Sequence, residues 1–307
     1  MADLHARLLH GGPLVRIVDY HCRASHSGPG AEEVSTEDTV VFTRRGVFVK
    51  HVGGRRIVLD ANHVHFYRAG EPYRVSHPVP GGDDCTSFRF APDLLREALT
   101  RHEPEAQDRA ASLSGLTHAP VSPDVVLLQQ RLRQRLRHAA AGPLEAEEVA
   151  IGVLRRVVHH VARIRDLPRS RTDMESRAVA SRRREWVEAA RLLLAAGPER
   201  NASLQTIARD VACSPFHLAR IFRDATGLPL HRYQLRLRLA LALERLAEGE
   251  ANLSALAYDL GFSSHGHFTT TFRAFFGVSP SGFRRTATVG RVRELSKNLE
   301  APAPPAR

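Results

Sequence analysis

Two short stretches set side chains capable of reading a polyanion along one helical stripe. In SPFHLARIFR (214–223), Leu218, Ile221 and Phe222 fall on one face and Phe216, Ala219, Arg220 and Arg223 on the other. Arg220 offers the planar fork of donors that matches guanine O6 and N7. Phe216 suits apolar contact with a thymine methyl, and Arg223 suits phosphate. In SSHGHFTTTFR (263–273) the corresponding free face carries His265, His267, Thr269, Thr270 and Arg273. Ser214 with Pro215, and Ser263 or Ser264, stand where a helix start needs a cap, and capped helix starts also meet phosphates through backbone amides. A different chemistry is offered by His63, His65, Glu71 and His77, which are metal-ligand types. His63 and His65 would share one strand face. A third is thiol chemistry at Cys22, Cys85 and Cys213, which are far apart and form no CxxC pair.

The charge balance bears on which of these matters. The chain has 307 residues, 44 Lys+Arg against 33 Asp+Glu, and a net charge of +11. Residues 171–307 hold 21 basic and 13 acidic side chains, whereas residues 1–170 hold 23 and 20. A one-sided basic excess suggests a nucleic-acid partner. Arginine richness tempers the point, since Lys50 and Lys297 are the only lysines. With 43% apolar and 25% charged residues the composition is that of a globular protein, which excludes a collagen-like or disordered chain. There is no long apolar run of transmembrane type and no signal-peptide pattern at the start. With no disulfide framework, a reducing cytoplasm is the expected compartment.

The elements that must position the basic face form an internal repeat. SLQTIARDVACSPFHLARIFRDATGLPLHRY (203–233) recurs as NLSALAYDLGFSSHGHFTTTFRAFFGVSPSGFR (252–284). The offset is 49 before the turn (Ala208 to Ala257) and 50 after it (Phe222 to Phe272, Gly227 to Gly277), so the second turn has one extra residue. Each copy predicts a short helix facing inward, with Leu204, Ile207, Ala208 and Val211 in the first. A tight turn follows at Ala212-Cys213 or Gly261-Phe262, and then a capped second helix. A plain helical bundle explains the Leu, Ile and Phe spacing but not two copies with matching caps, turns and closing Gly.

On these motifs residues 184–285 resemble the DNA-binding domain of AraC/XylS-type bacterial transcriptional regulators. GFSSHGHFTTTFRAFFGVSPSGFR (261–284) is the most specific part and SPFHLARIFRDATGLPLHRY (214–233) the second. The resemblance implies seven helices and two helix-turn-helix units joined by a long helix, here LHRYQLRLRLALALERLAEG (230–249). It also implies that Phe216, Ala219 and Arg220 face bases. Each recognition helix would read about four base pairs, the two lying about 34 Å apart on one DNA face. The chain departs from the family at Thr270, where an arginine is frequent. Either His265, His267 and Thr269 read bases, or the second unit is mainly a phosphate clamp.

Upstream, short alternating runs at 40–45, 47–52, 55–60, 62–67 and 85–90 predict strands, with turns at Gly46 and Gly53-Gly54. PDLLREALTRH (92–102) predicts a helix. Residues 14–90 resemble, more weakly, the cupin-like ligand-sensing barrel, with AGEPYRV (69–75) as one of its turns. The stretch 122–165 predicts a helical hairpin whose apolar faces either cover the barrel or pair with a second copy. The reading is therefore an α+β multidomain chain. Its parts are a cupin-like effector-sensing and dimerisation domain with helical hairpin (1–165), a polar linker (166–183), an all-α double helix-turn-helix domain (184–287) and a disordered tail (288–307). Few contacts are expected across the linker, so that 184–285 would fold alone.

The function implied is a transcriptional regulator, more often an activator in this family. Its partners would be double-stranded DNA, an unidentified small-molecule effector, RNA polymerase and a second copy of the chain, with no membrane. No enzymatic activity, cofactor or metal is expected. A metal-dependent cupin enzyme is disfavoured because Tyr73 replaces the metal-binding His of the second cupin motif. A cysteine-based DNA alkyl-transfer repair protein using the same module is disfavoured because Cys22 and Cys85 look isolated and Cys213 sits in the first turn.

Overall fold

The computed structural model describes residues 4–100, 117–165 and 177–288. Nine strands open the chain: β1 Leu4–Gly11, β2 Val15–Cys22, β3 Glu33–Val34, β4 Thr39–Gly46, β5 Phe48–Val52, β6 Arg55–Leu59, β7 His63–Tyr67, β8 Pro72–Ser76 and β9 Asp83–Phe90. Helix α1 (Pro92–Thr100), strand β10 (His118–Pro120) and helices α2 (Pro123–Arg137) and α3 (Pro143–Arg165) follow. Seven helices complete the described chain: α4 Arg177–Ala196, α5 Leu204–Asp210, α6 Pro215–Thr226, α7 Leu230–Ala247, α8 Leu253–Asp259, α9 His265–Phe276 and α10 Pro280–Thr288.

The strands form two antiparallel sheets, ordered β1-β2-β9-β4-β7-β10 and β3-β8-β5-β6. They face each other across Val41, Phe48, Val52, Ile57, Leu59 and Cys85 and, among the described residues, do not close into one hydrogen-bonded barrel. Gly46, at φ +79°, carries the chain from one sheet to the other. Gly53 and Gly54 are both left-handed, as a two-residue hairpin between β5 and β6 requires. The period of two sorts each strand. Val64 and Phe66 of β7 join the core under the helices. His65, of opposite parity, meets Phe48 between the sheets. Strands β1 and β10 lie outside the predicted runs. They are edge strands: β1 is largely exposed, and β10 has only three residues, too few for a period to show.

The 122–165 hairpin covers a sheet. Val125, Leu128 and Leu132 of α2, and Ala150, Val153, Leu154, Val157 and Val161 of α3, pack on Val15, Ile17, Val40, Phe42 and Phe88 of the six-stranded sheet. Ser122 holds the cap position before Pro123, although its hydroxyl makes no capping bond.

The expectation of few contacts across the linker is overturned. Val47, at the corner between the sheets, and Val49 and Val58 of the four-stranded sheet share a core with Val187, Ala190 and Leu194 of α4 and with Ile207, Leu218 and Phe222 of the first repeat. Leu127 of α2 enters the core of the second repeat beside Leu243, Phe268 and Phe272. The physical reason is that α4 begins at Arg177, inside the stretch read as a linker, and lays its apolar face on the sheet. Residues 166–176 of that stretch, and residues 289–307 of the tail, lie outside the described residues.

Candidate nucleic-acid interface

Each repeat folds as a helix-turn-helix with matching termini. Ser203 caps α5 by accepting from the Thr206 amide, and Asn252 caps α8 by accepting from the Ala255 amide. Ser214 accepts from the His217 amide at 3.3 Å and Ser264 from the His267 amide at 3.1 Å, so Ser264 rather than Ser263 is the second cap. Gly227 and Gly277 close α6 and α9 in left-handed conformations, their amides donating to the Arg223 and Arg273 carbonyls. The turns differ: Gly261 has φ +75° whereas Ala212, its equivalent, holds φ +53° without being glycine. Leu204 departs from the predicted inward set. It stands in the first turn of α5 and is 37% exposed, while Ile207, Ala208 and Val211 are buried.

Helices α6 and α9 hold the predicted reading residues outward. Leu218, Ile221 and Phe222 anchor α6, and Phe268, Phe272 and Phe276 anchor α9. On the opposite face of α6, Ser214, Pro215, Phe216, Arg220 and Arg223 are exposed and Ala219 is half-buried. Phe216 is 84% exposed, an apolar ring that folding alone does not use. On α9 and its entry turn, Ser263, Ser264, His265, His267, Thr270 and Arg273 are exposed and Thr269 is half-buried. Ser263 Oγ lies 3.1 Å from His267 Nδ1, and His265 Nε2 lies 3.4 Å from Thr269 Oγ1, so both imidazoles are tethered to their own helix face.

Helix α7 fixes the spacing of the two units. Arg238 donates to the Pro198 carbonyl at 2.6 Å, the Gly261 carbonyl at 3.1 Å and Asn201 Oδ1 at 2.9 Å, tying the loop after α4 to the second turn.

The N-terminal half grips α7 at both ends. Near its start the Tyr233 hydroxyl donates to Asp60, Asn62 donates to the Tyr233 carbonyl at 3.1 Å, and Arg191 of α4 donates to the Tyr233 hydroxyl at 3.0 Å and the Val58 carbonyl at 2.6 Å. Burial alone would raise the Asp60 carboxyl, but the facing His63, Arg191 and Tyr233 hold it well below the usual carboxylate range. Near the other end Glu244 accepts from Arg44, Gln130 and Arg133. Arg133 also donates to Asp19 at 2.8 Å, and all four charged side chains are 1% exposed. Burial opposes the Arg44 charge, and Glu244 and Asp19 more than restore it. The repeat does not predict these residues. The signal for them lies in α7, where the leucines and alanines of LRLRLALALERLA fall on every side of the helix, so that its surroundings must exceed two helical units.

The other predicted constellations fare differently. His63 lies 3.0 Å from Asp60, and Glu71 pairs with Arg68 at 2.9 Å. His65 is fully buried with neither ring nitrogen hydrogen-bonded among the described residues, and His77 meets Asp83 at 2.8 Å. Those four candidates do not converge. Cys22 and Cys85 are not isolated, however: β2 pairs with β9 so that Cys22 stands opposite Asp83, to which Cys85 donates at 3.0 Å. Cys213 is half-buried in the first turn.

A helix-turn-helix domain family matches residues 207–286. The chain is 36% identical over 86 residues to the probable transcription factor PqrA of Proteus vulgaris, a match spanning 28% of this chain and 70% of that protein. It is 43% identical over 68 residues to the transcriptional activator RhaS of Escherichia coli O157:H7, spanning 22% of this chain and 24% of that one. Among solved structures, an apo ToxT variant from Vibrio cholerae aligns over 90% of this chain and 98% of its own with 11% identity and a TM-score of 0.38. With two capped helix-turn-helix units on one spacing helix, and PqrA matched over most of its length, the chain belongs to the AraC/XylS family of transcriptional regulators.

Proposed function

We propose that this DNA-binding regulator is an activator that reads two adjacent major-groove segments with α6 and α9, and that a small organic effector in its N-terminal half sets its activity. One observation carries the proposal: the helix that spaces the two exposed faces is held at Tyr233 and Glu244 by buried side chains of the sheet half. Any ligand that shifts the sheets relative to α7 changes how the two faces present themselves to DNA. In this reading Arg220 contacts guanine, Phe216 and Ala219 contact neighbouring bases, and Arg223 and Arg273 hold phosphate. His265, His267, Thr269 and Thr270 supply the weaker second reading. Ser214, Pro215, Ser263 and Ser264 start the two helices where backbone amides approach the DNA strand.

The effector site belongs between the sheets, where Lys50 is fully buried. Its ammonium donates to the Phe66 carbonyl at 3.1 Å and stands 4.0 Å from the Tyr67 ring. Burial lowers it to about 8. An ammonium beside tyrosine rings suits a ligand with one polar head and an aromatic or aliphatic body. A second copy of the chain, bound to a neighbouring site, and RNA polymerase complete the proposed assembly. Among the described residues no helix is long and apolar enough to cross a membrane.

The experiment is selection of duplexes from a random pool by the full-length protein, followed by footprinting. Two protected elements of about four base pairs, centred about one helical turn apart, support the reading. A pool that fails to enrich under salt conditions where binding occurs contradicts it.

A further inference from the structure

The structure assigns a transition-metal site of the zinc class to Cys22, His77 and Asp83, at the end of the sandwich where three strand ends meet. Cys22 closes β2, Asp83 opens β9 directly opposite it, and His77 follows β8. Their ligand atoms all lie within 4.8 Å of one another, and the three residues are buried. Cys22 Sγ is 3.5 Å from His77 Nε2, which in turn is 2.8 Å from Asp83 Oδ1.

The backbone is built to bring them this close. Gly82 holds φ +68°, and a Cβ there would stand 1.9 Å from the Cys22 carbonyl oxygen. At Gly46 a Cβ would stand 2.2 Å from the Gly82 carbonyl oxygen. The His77 amide donates to the His26 carbonyl at 2.8 Å, fixing the third strand end.

The donor set selects the ion. Thiolate, imidazole and carboxylate together suit zinc-class divalent ions and disfavour calcium and magnesium, which take oxygen. With bonds of about 2.3 Å to sulfur and 2.0–2.1 Å to nitrogen, a tetrahedral ion separates those two atoms by about 3.5 Å, the spacing Cys22 and His77 already have. In the same geometry nitrogen and carboxylate oxygen stand about 3.3–3.4 Å apart, so the carboxylate, now at 2.8 Å, retreats by about half an ångström. Surrounding groups orient the ligands. Cys85 donates to the other Asp83 oxygen at 3.0 Å, and His26 Nε2 lies 3.5 Å from His77 Nδ1. On binding, the Cys22 thiol proton leaves to solvent. The His77 proton moves from Nε2 to Nδ1 and stays there, hydrogen-bonded to His26 Nε2. Three protein ligands leave a fourth position for water or another ligand.

The placement also matters. The loop between His77 and Asp83 contributes Val79, Pro80, Gly81 and Gly82 to a cleft whose far wall includes Leu237, Leu241 and Arg245 of α7. An ion on His77 and Asp83 therefore stiffens a wall that faces the helix spacing the DNA-reading units.

The test is titration of chelator-treated, reduced full-length protein with Co²⁺, followed by Zn²⁺ competition. The expected result is one Co²⁺ per chain, visible bands of tetrahedral type, a near-ultraviolet thiolate-to-cobalt band, and displacement of all of these by Zn²⁺. Cys22→Ser should abolish the thiolate band, and His77→Gln and Asp83→Asn should weaken uptake. His26→Ala should weaken it by about tenfold, while Cys213→Ser leaves it unchanged. Wild-type protein that shows no thiolate-to-cobalt band overturns the proposal without recourse to any variant. So does a band that survives in Cys22→Ser or is lost only in Cys85→Ser.

Discussion

Glu244, on the helix between the two DNA-reading units, accepts a hydrogen bond from Arg44 of β4, two hundred positions earlier in the chain. Gln130 and Arg133 of α2 share the same carboxylate. Two arginines and two acids, Asp19 being the second, are thus sealed between the halves with their charges balanced. Removing one partner of such a cluster leaves a buried charge without compensation. Glu244→Gln should therefore destabilise the protein by about 3–5 kcal/mol. Urea unfolding of the full chain measures it. A loss below about 1 kcal/mol would mean that water reaches the cluster.

The two recognition faces should contribute unequally. Arg220→Ala should weaken binding to a selected duplex by about 1–3 kcal/mol and relax preference at one base position. Thr270→Ala should cost less, because no guanidinium is lost. Anisotropy titrations on selected and random duplexes separate base reading from phosphate contact. Equal loss on both for Arg220→Ala would make it a phosphate contact, and a larger effect at Thr270 would reverse the ranking of the two units.

The turns give a pair of opposed stability predictions. Ala212 occupies a left-handed conformation that glycine adopts freely, so Ala212→Gly should stabilise by about 0.5–1 kcal/mol. At Gly261 a Cβ would stand 2.5 Å from the Glu199 carbonyl oxygen, so Gly261→Ala should destabilise by about 1–3 kcal/mol. Thermal unfolding reads both, and a stabilising Gly261→Ala would show that the second turn is looser than its contacts imply.

Acid should weaken the sheet half through its buried histidines. Burial pushes His65 down to about 3, and His63 and His118 are lowered as well, chiefly by burial. The unfolded chain then binds more protons than the folded one below the ordinary imidazole value of about 6.5. Stability that is full above that pH falls on acidification, by up to about 1.4 kcal/mol per pH unit for each such residue. Since neither ring nitrogen of His65 is hydrogen-bonded among the described residues, His65→Leu should flatten this dependence between about pH 6.5 and pH 4.5. An unchanged slope in unfolding measured across that range would place the effect elsewhere.

Much of the DNA-reading half is legible in the sequence because its signals are local. Caps such as Ser214, closing glycines such as Gly227 and the Phe268–Phe272–Phe276 spacing each act within one or two turns of chain, and the repeat shows them twice. What the sequence does not show is pairing between distant residues. The Asp60–Tyr233 and Arg44–Glu244 contacts depend on how α4 and α7 dock on the sheets, and no spacing rule encodes that. The Cys22–Asp83 approach depends on the β2–β9 register. Leu204 differs for a smaller reason: the helical period places it inward, but a residue in the first turn of a short helix has few neighbours to cover it.

The most direct measurement is the affinity of the full chain for a selected duplex as a function of salt, for wild type and Arg220→Ala. Phosphate neutralisation by Arg223, Arg273 and the helix starts should make log affinity fall linearly and steeply with log salt concentration. If Arg220 reads a base, its removal should lower the line on the selected duplex while leaving the slope and the random-duplex line nearly unchanged. Folded protein whose affinity for the selected duplex does not change with salt would contradict the account.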